Sequence, residues 1–436
     1  MIQQTVQPEY KPITSAKTSN YFTKQTFTSQ VERIKQASEV AQKKVDYDTA
    51  HNETILYAIE IVEDFLRKSK RVCYGGQAIN AHLPESHKIY DPVYSIPDYD
   101  FFTPSPQKDI DYLSTQLKRA GFSDVSVREG MHEGTTKIYV DYVPVADITA
   151  LHTKIYDTIY KRSAVVNGIH YMDANSLRML MYLELSRPRG EVTRWGKVFE
   201  RLMIFNEFIP IKHCTIFYKK TFLTKEHITM VMEFIMQKKR IFAGADLVDF
   251  YESLRKHNHV LLHVTTQKPI LFYSPNSYQD AVALVSQFQK LPHKKFMIQT
   301  ITIEKSDMIP FFTIIKHRKQ IIACIIEYSA CHSYIEAATN HGKIKIASLD
   351  TLITLYFSLG LLKTQLFNIG SMECMASKVM EISMKIRSTP RSRIPFVSIE
   401  CEGHQKTLPS LIREKVQRIT RKRQLEKRKT FRKKRT

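Results

Sequence analysis

Apolar positions recur at three- and four-residue spacing in some stretches of this chain and gather in short strand-like runs in others. Ile55, Ile59, Val62 and Leu66 fall on one helical face, which predicts a helix from about Thr54 to Lys70 with Lys68 and Lys70 at the end where the helix dipole favours cations. An earlier helix is expected from Ser29, whose hydroxyl can cap it, to about Lys44, and residues 1–28, polar with Pro8 and Pro12, read as an extended arm. From Arg71 to Ile148 the pattern changes to short segments: Val72-Cys-Tyr-Gly-Gly, Ser95-Ile-Pro-Asp-Tyr-Asp-Phe-Phe, Ser123-Asp-Val-Ser-Val, and Lys137 to Thr149. A helix from about Lys108 to Ala120, closed by Gly121, interrupts them. From Asn175 the helical period returns through Leu177, Leu180, Met181, Leu183 and Leu185, then Trp195, Val198, Phe199, Leu202 and Met203. The fold class expected is mixed α/β (α+β), a sheet domain followed by helices.

The second half repeats the first. Lys70-Arg-Val-Cys-Tyr-Gly-Gly-Gln-Ala-Ile aligns with Lys239-Arg-Ile-Phe-Ala-Gly-Ala-Asp-Leu-Val at an offset of 169 residues, and Asp100-Phe-Phe-Thr-Pro with Leu271-Phe-Tyr-Ser-Pro at 171. Ile169-His-Tyr-Met-Asp-Ala-Asn-Ser-Leu-Arg then aligns with Ile344-Lys-Ile-Ala-Ser-Leu-Asp-Thr-Leu-Ile at 175. Each match alone is weak, but their shared order predicts a duplication. The expected organisation is an arm and helix (1–50), a sheet domain (51–155), a helical segment (156–225), a degenerate second copy (226–345), a C-terminal helical segment (346–412) and a basic tail (413–436).

Charge narrows the partners. The 436 residues carry 65 Lys+Arg against 43 Asp+Glu, a net +22, so polyanions are expected. Residues 413–436 hold 13 basic and 2 acidic side chains, half of that excess, in a run that could be a helix or a disordered arm. Arg421, Lys422, Arg423, Lys427, Arg428 and Lys429 are its densest part and the candidates for phosphate contacts. The longest apolar run, Ile321 to Ile326, is far too short for a bilayer, and the N-terminus shows neither a basic nor an apolar leader. No C-x-x-C occurs among Cys73, Cys214, Cys324, Cys331, Cys374 and Cys401, so core thiols rather than disulfides or a zinc ribbon are expected. Cys324, Cys331 and His332 fit no metal spacing, and neither P-loop nor Rossmann glycine patterns occur.

Three features carry candidate chemistry. Asp98 and Asp100, two apart on an expected strand, project from one face, and two carboxylates held so close call for a cation. Asp147, in Val145-Ala-Asp-Ile, is a carboxylate in an apolar strand, costly to bury without a metal or a donor. Asp141 shares its parity, but Pro144 breaks the ladder between them, which favours Asp147 as the third acid. Ahead of them Gly75-Gly76 ends a strand and opens a helix, where bare backbone amides can approach phosphate. Downstream, Arg194, Lys197 and Arg201 lie on one helical face with Arg187 just before, either a phosphate grip or a solvated basic face. Asn175, at a helix start, could read a base edge or cap the helix.

In the order Gly-Gly, Asp-x-Asp, apolar-flanked Asp, these residues resemble the nucleotidyltransferase superfamily that includes DNA polymerase β. Cys73-Tyr-Gly-Gly-Gln-Ala-Ile-Asn, Pro97-Asp-Tyr-Asp-Phe-Phe-Thr-Pro, and His132-Glu-Gly-Thr-Thr-Lys-Ile-Tyr-Val leading to Val145-Ala-Asp-Ile-Thr look like the poly(A) polymerase catalytic subunit of large nucleocytoplasmic DNA viruses, over roughly residues 50–205. The resemblance implies that Gly75 and Gly76 hold the ATP triphosphate with a Lys or Arg from the following helix. It also implies that Asp98 and Asp100 bind two Mg²⁺ (or Mn²⁺) ions and that Asp147 holds the ion at the RNA 3′-hydroxyl. It further implies an mRNA 3′ end as partner, a possible homodimer, no membrane or DNA partner, and residence in the host cytoplasm or virion. The interval from Gly76 to Asp98 is longer than in minimal superfamily members, so residues 82–94 are expected to loop out beside the site. In the second copy the acid positions become Pro269 and Leu271 and the second glycine becomes Ala245, a copy that cannot bind two metals this way. Other readings are a uridylyl or cyclic-dinucleotide transferase and an inactive RNA-binding platform.

Overall fold

The structure is a computed structural model that describes residues 24–433 except 212–213, 215–223, 258, 266–267, 269, 291–295, 302–307, 318–319, 363–368, 390–391 and 393. The described residues form two compact units, 24–56 with 91–96, and 57–90 with 97–433. In the first, helix α1 (Lys24–Ala50) begins earlier and ends later than its apolar pattern predicts. Near its end Tyr47 stacks on His51 at 4.0 Å and meets Tyr94 edge-on.

The second unit begins inside α2 (Glu53–Ser69) and runs through β1 (Val72–Tyr74), α3 (Gly75–His82), β2 (Tyr99–Thr103), α4 (Pro106–Arg119), β3 (Val125–Glu129), β4 (Thr135–Val140) and β5 (Val143–Ala150). Next come α5 (Thr153–Arg162), β6 (Ala164–Val166), β7 (Ile169–Tyr171), α6 (Ala174–Leu185) and α7 (Trp195–Phe208). The seven strands form one mixed sheet in the order β3-β4-β5-β2-β1-β7-β6. Ile59, Val62 and Leu66 of α2 and Leu113 and Leu117 of α4 are buried, as are Phe101 and Ile148 of the sheet. Alternation thus gives the sheet one apolar face and leaves the other for chemistry. The sheet does not stop near residue 155: the β6–β7 hairpin extends it to Tyr171, pairing with β1. Its strands are only three residues each, too short to show alternation.

The remaining elements are α8 (Lys225–Gln237), β8 (Ile241–Phe242), α9 (Asp246–Lys256), β9 (Ile270–Ser274), α10 (Ser277–Phe288), β10 (Phe296–Ile301), β11 (Phe312–His317) and β12 (Gln320–Glu327). They continue with β13 (His332–Thr339), β14 (Gly342–Ala347), α11 (Leu349–Gly360), α12 (Ile369–Arg387), β15 (Cys401–Glu402) and α13 (Leu408–Lys433). The second sheet, β10-β11-β12-β9-β8-β14-β13-β15, repeats the first strand for strand, with β15 added at one edge. Directions repeat too: β1–β2 and β8–β9 are antiparallel, β2–β5 and β9–β12 parallel, β1–β7 and β8–β14 parallel.

Local details recur at the offsets read from the sequence. Lys70 and Lys239 both adopt positive φ, 54° and 52°, before the first central strand of each sheet. The arginine after each makes a two-bond ion pair with an aspartate in the first turn of the helix after the second strand. Arg71 Nε donates to Asp109 Oδ2 at 2.8 Å, and Arg240 Nε to Asp280 Oδ2 at 2.7 Å. A shared strained backbone and a shared buried fork are hard to reach twice independently.

The cysteine expectation is corrected. Cys331–Cys401 and Cys214–Cys374 are disulfides with Cα separations of 5.4 and 5.7 Å, and only Cys73 and Cys324 remain free and buried. Pairing of β13 with β15 sets Ser333 opposite Cys401, which brings the first pair together across 70 residues. Partners so far apart in sequence leave no local signature. Among the described residues no helix is long and apolar enough to cross a membrane.

Candidate active site

The polar face of the first sheet is built by register. Asp100 of β2 pairs with Asp147 of β5, Tyr74 of β1 pairs with Asp100, and Lys137 of β4 pairs with Asp147. Paired residues project to the same side of a sheet, so one row runs Tyr74, Asp100, Asp147, Lys137 across four strands. Asp98 stands one residue before β2 rather than within it, more exposed than Asp100. Asp141 falls in the β4–β5 turn, exposed and at positive φ, so the third acid of this face is Asp147.

Electrostatics ties the three acids together. Burial, then Asp98, then Asp147 push the Asp100 carboxyl up to about 7. Burial and then Asp147 raise Asp98. Lys137 donates to Asp147 Oδ2; burial works against its charge, but Asp147 and Asp98 outweigh it and hold the ammonium above the usual lysine range. Asp147 Oδ1 is buried with no hydrogen-bond partner. Tyr74 donates or accepts at Thr149 (2.9 Å), and Thr149 meets Thr135 at 3.0 Å, a hydroxyl chain beside the carboxylates.

Gly75 and Gly76 open α3, Gly75 at φ 73°. A Cβ on Gly75 would lie 2.5 Å from Asp100 Oδ2, and one on Gly76 would lie 2.0 Å from the Tyr90 hydroxyl. Only glycine lets the strand end approach the carboxylate and the ring this closely. Tyr90 belongs to the long Gly76–Asp98 interval, and Asn80 Oδ1 holds it there by accepting from the Ile89 and Tyr90 amides at 2.8 and 3.4 Å. Its hydroxyl takes a 2.9 Å bond from Arg201, whose guanidinium lies 5.3 Å from the ring centroid.

Arg201 belongs to the predicted basic face. Arg201 and then, after burial, Arg194 lower Lys197, which places the three cations within one another's field. Arg194 also acts on Asp100 and pairs with Glu184 at 3.2 Å. Arg187 turns elsewhere: its charge adds to burial in pushing the second sheet's His332 down to about 3. Asn175 does not cap α6. Asp173 does, accepting from the Asn175 and Ser176 amides, while Asn175 Oδ1 accepts from the buried Arg178 at 3.2 Å. Of the basic run, Arg421, Lys422, Arg423 and Lys427 are exposed on α13; the side chains of Arg428 and Lys429 lie outside the described residues. Arg418 anchors this helix to the first sheet, donating to Glu129 Oε2 and to the Met131 carbonyl, both at 3.3 Å.

Among the described residues no three His, Cys, Asp or Glu side chains stand as a ready-made metal cage. The donors nevertheless fit a hard divalent ion. The set is all oxygen, burial and neighbouring carboxylates raise Asp98 and Asp100, and one buried oxygen of Asp147 lacks a partner. Lys137 and Tyr90 are the site residues that spacing does not reveal, one placed by cross-strand register and the other by the path of a loop.

With this geometry in hand, comparison with known proteins bears on the segment that holds it. Residues 60–191 match the family model of the poly(A) polymerase catalytic subunit. Over 159 residues the chain is 32% identical to a protein of Acanthamoeba polyphaga mimivirus named poly(A) polymerase catalytic subunit, 35% of this chain and 26% of that one. Over 177 residues it is 29% identical to one of the same name from African swine fever virus (isolate Pig/Kenya/KEN-50/1950), 39% of this chain and 36% of the other. The chain thus matches only about a quarter to a third of the length of these relatives. The Megavirus polyadenylate synthase crystal structure is similar at a TM-score of 0.73 and 18% identity, over 96% of this chain and 86% of that one. The fold, with its second sheet, is therefore that of the Megavirus protein.

The second sheet has none of this row. By register Leu271 stands where Asp100 does, and its partner Cys324 where Asp147 does; Ile314, opposite Cys324, replaces Lys137. All three are buried. Pro269, the counterpart of Asp98, lies outside the described residues.

Proposed function

We propose that the chain is a template-independent polynucleotide adenylyltransferase, adding adenylates from ATP to the 3′ end of RNA with release of pyrophosphate. The observation that carries this reading is the register pairing of Asp100 with Asp147 beside Gly75, with Asp98 just before the strand, inside the segment that matches the family. The α3 amides at Gly75–Gly76 and the cations Arg201, Lys197 and Arg194 suit a triphosphate, the first by backbone donors at a helix start and the second by charge. Asp98, Asp100 and Asp147 would hold two Mg²⁺ or Mn²⁺ ions. When bound, such ions lower the basicity of the attacking 3′-oxygen and neutralise charge growing at the α-phosphate. Asp147 would hold the ion at the RNA 3′-hydroxyl, and Lys137, which donates to its Oδ2, keeps its carboxylate oriented. The names of the relatives favour adenine as the base added; a viral mRNA acceptor, residence in the host cytoplasm and a homodimer are parts of the same proposal.

The test is extension of a labelled RNA primer with each of the four nucleotides and Mg²⁺, comparing the wild type with Asp98→Ala/Asp100→Ala. Long products from ATP alone, lost in the variant, are expected. Extension with UTP instead would change the substrate but keep the chemistry. RNA binding with no extension from any nucleotide would leave a binding platform.

A further inference from the structure

The face that carries the carboxylates does not end at Lys137. Residues two apart on a strand share a face, so Tyr139 of β4 stands on the same side as Lys137. On β3, Arg128 pairs with Lys137 and Ser126 with Tyr139, bringing both onto that side. The Arg128 guanidinium lies 4.7 Å from the Tyr139 ring centroid and 5.9 Å from that of Tyr142. Tyr142 is 74% exposed and follows Asp141 in a turn where both residues have positive φ, 47° and 65°. Such a turn is usually filled by glycine or asparagine, so a bulky ring is displayed at a position the backbone disfavours.

From these observations we propose that Arg128, Tyr139 and Tyr142 form a stacking platform for single-stranded RNA, seating the bases just upstream of the 3′ end. The proposal rests on the polymerase reading and adds where its acceptor lies. Strand spacing and rise put Tyr139 roughly 8 Å from Asp147 along the sheet, the separation of a neighbouring nucleotide rather than of the reacting one. Aromatic rings and an arginine plane accept the face of any base, as an enzyme that must bind its own growing tail and many transcript ends requires. Charge agrees: Arg128 and Lys137, paired across β3 and β4, bring two cations to this side of the sheet.

The test is fluorescence anisotropy of a 5′-labelled single-stranded oligoadenylate, with Mg²⁺ and without ATP, on the full chain. Tyr139→Leu/Tyr142→Ser should weaken binding about tenfold or more, and Tyr139→Phe/Tyr142→Phe should stay close to the wild type. The slope of affinity against salt should not change, because no phosphate contact is lost, and binding of ATP should stay within about twofold. Tyr142→Ser alone, at an exposed site, should weaken RNA binding by roughly threefold and decides the matter if the double variant fails to fold. Wild-type affinity in a folded Leu/Ser variant, or equal loss in the Phe/Phe variant, overturns the platform. If the wild type binds no RNA at all, the polymerase reading itself falls.

Discussion

Asp100 concentrates the chemistry of the site in one side chain. Its carboxyl is held at about 7, whereas an unfolded chain would release that proton near 4. The folded state therefore binds the extra proton between those values, and Asp100 makes folding less favourable as pH rises through that window. A divalent ion reverses the balance by taking the place of the proton. Mn²⁺ affinity should accordingly climb from pH 5.5 to about 7 and then level, and Asp100→Asn should flatten the climb while weakening binding. Calorimetric titration across that range measures it, and a wild-type profile flat from pH 6 to 8 would show that the proton and the ion do not compete. Asp100 and Asp147 were legible in the sequence as carboxylates on strands with apolar neighbours, while Asp98, expected on the same strand, stands one residue before it. Lys137 and Tyr90 were not, since one depends on cross-strand register and the other on where a 21-residue interval between Gly76 and Asp98 returns.

At the scale of elements, each device of the site is a strand or helix end placed by its neighbours. The β1–α3 junction brings glycine amides to Asp100, the parallel β2–β5 pair sets two acids side by side, and α7 supplies Arg201 to Tyr90. Most of these elements were readable from apolar spacing; the exceptions are instructive. The β6–β7 hairpin was hidden by its brevity, and the ends of α1 extend into polar sequence where the period fades. The basic run resolved an ambiguity the other way: α13 is a helix, docked by Arg418, so its cations form a directed surface. Removing residues 413–436 should flatten the salt dependence of RNA binding and shorten the products of primer extension, leaving ATP binding unchanged. Salt titrations of primer affinity together with product-length profiles check this, and unaltered tail lengths at matched salt would assign α13 a role apart from RNA.

The whole molecule is one sheet design used twice, with the row of acids in the first copy. Three sequence matches at growing offsets disclosed the repeat, and strand order, directions and the paired Lys-Arg/Asp arrangement bear it out. What sequence could not disclose were the two disulfides, made between residues 70 and 160 positions apart. The second sheet has replaced its acid row with buried Leu271, Cys324 and Ile314, turning a repelling polar face into core that supports the chain. Restoring an acid there should therefore cost stability and recruit no metal. In Cys324→Asp a carboxylate would sit at a fully buried position among apolar neighbours, which should lower unfolding stability by about 3 kcal/mol or more, with the deficit shrinking as pH falls and the group protonates. Mn²⁺ binding should stay at the wild-type stoichiometry, because among the described residues the first sheet alone pairs carboxylates across its strands, and Asp98→Ala/Asp100→Ala should abolish it. Urea unfolding at pH 5.5 and 8, with metal titration of the same variants, separates the two effects; an additional Mn²⁺ ion bound by Cys324→Asp would mean that the second sheet has kept the geometry of a metal site and lost only its ligands.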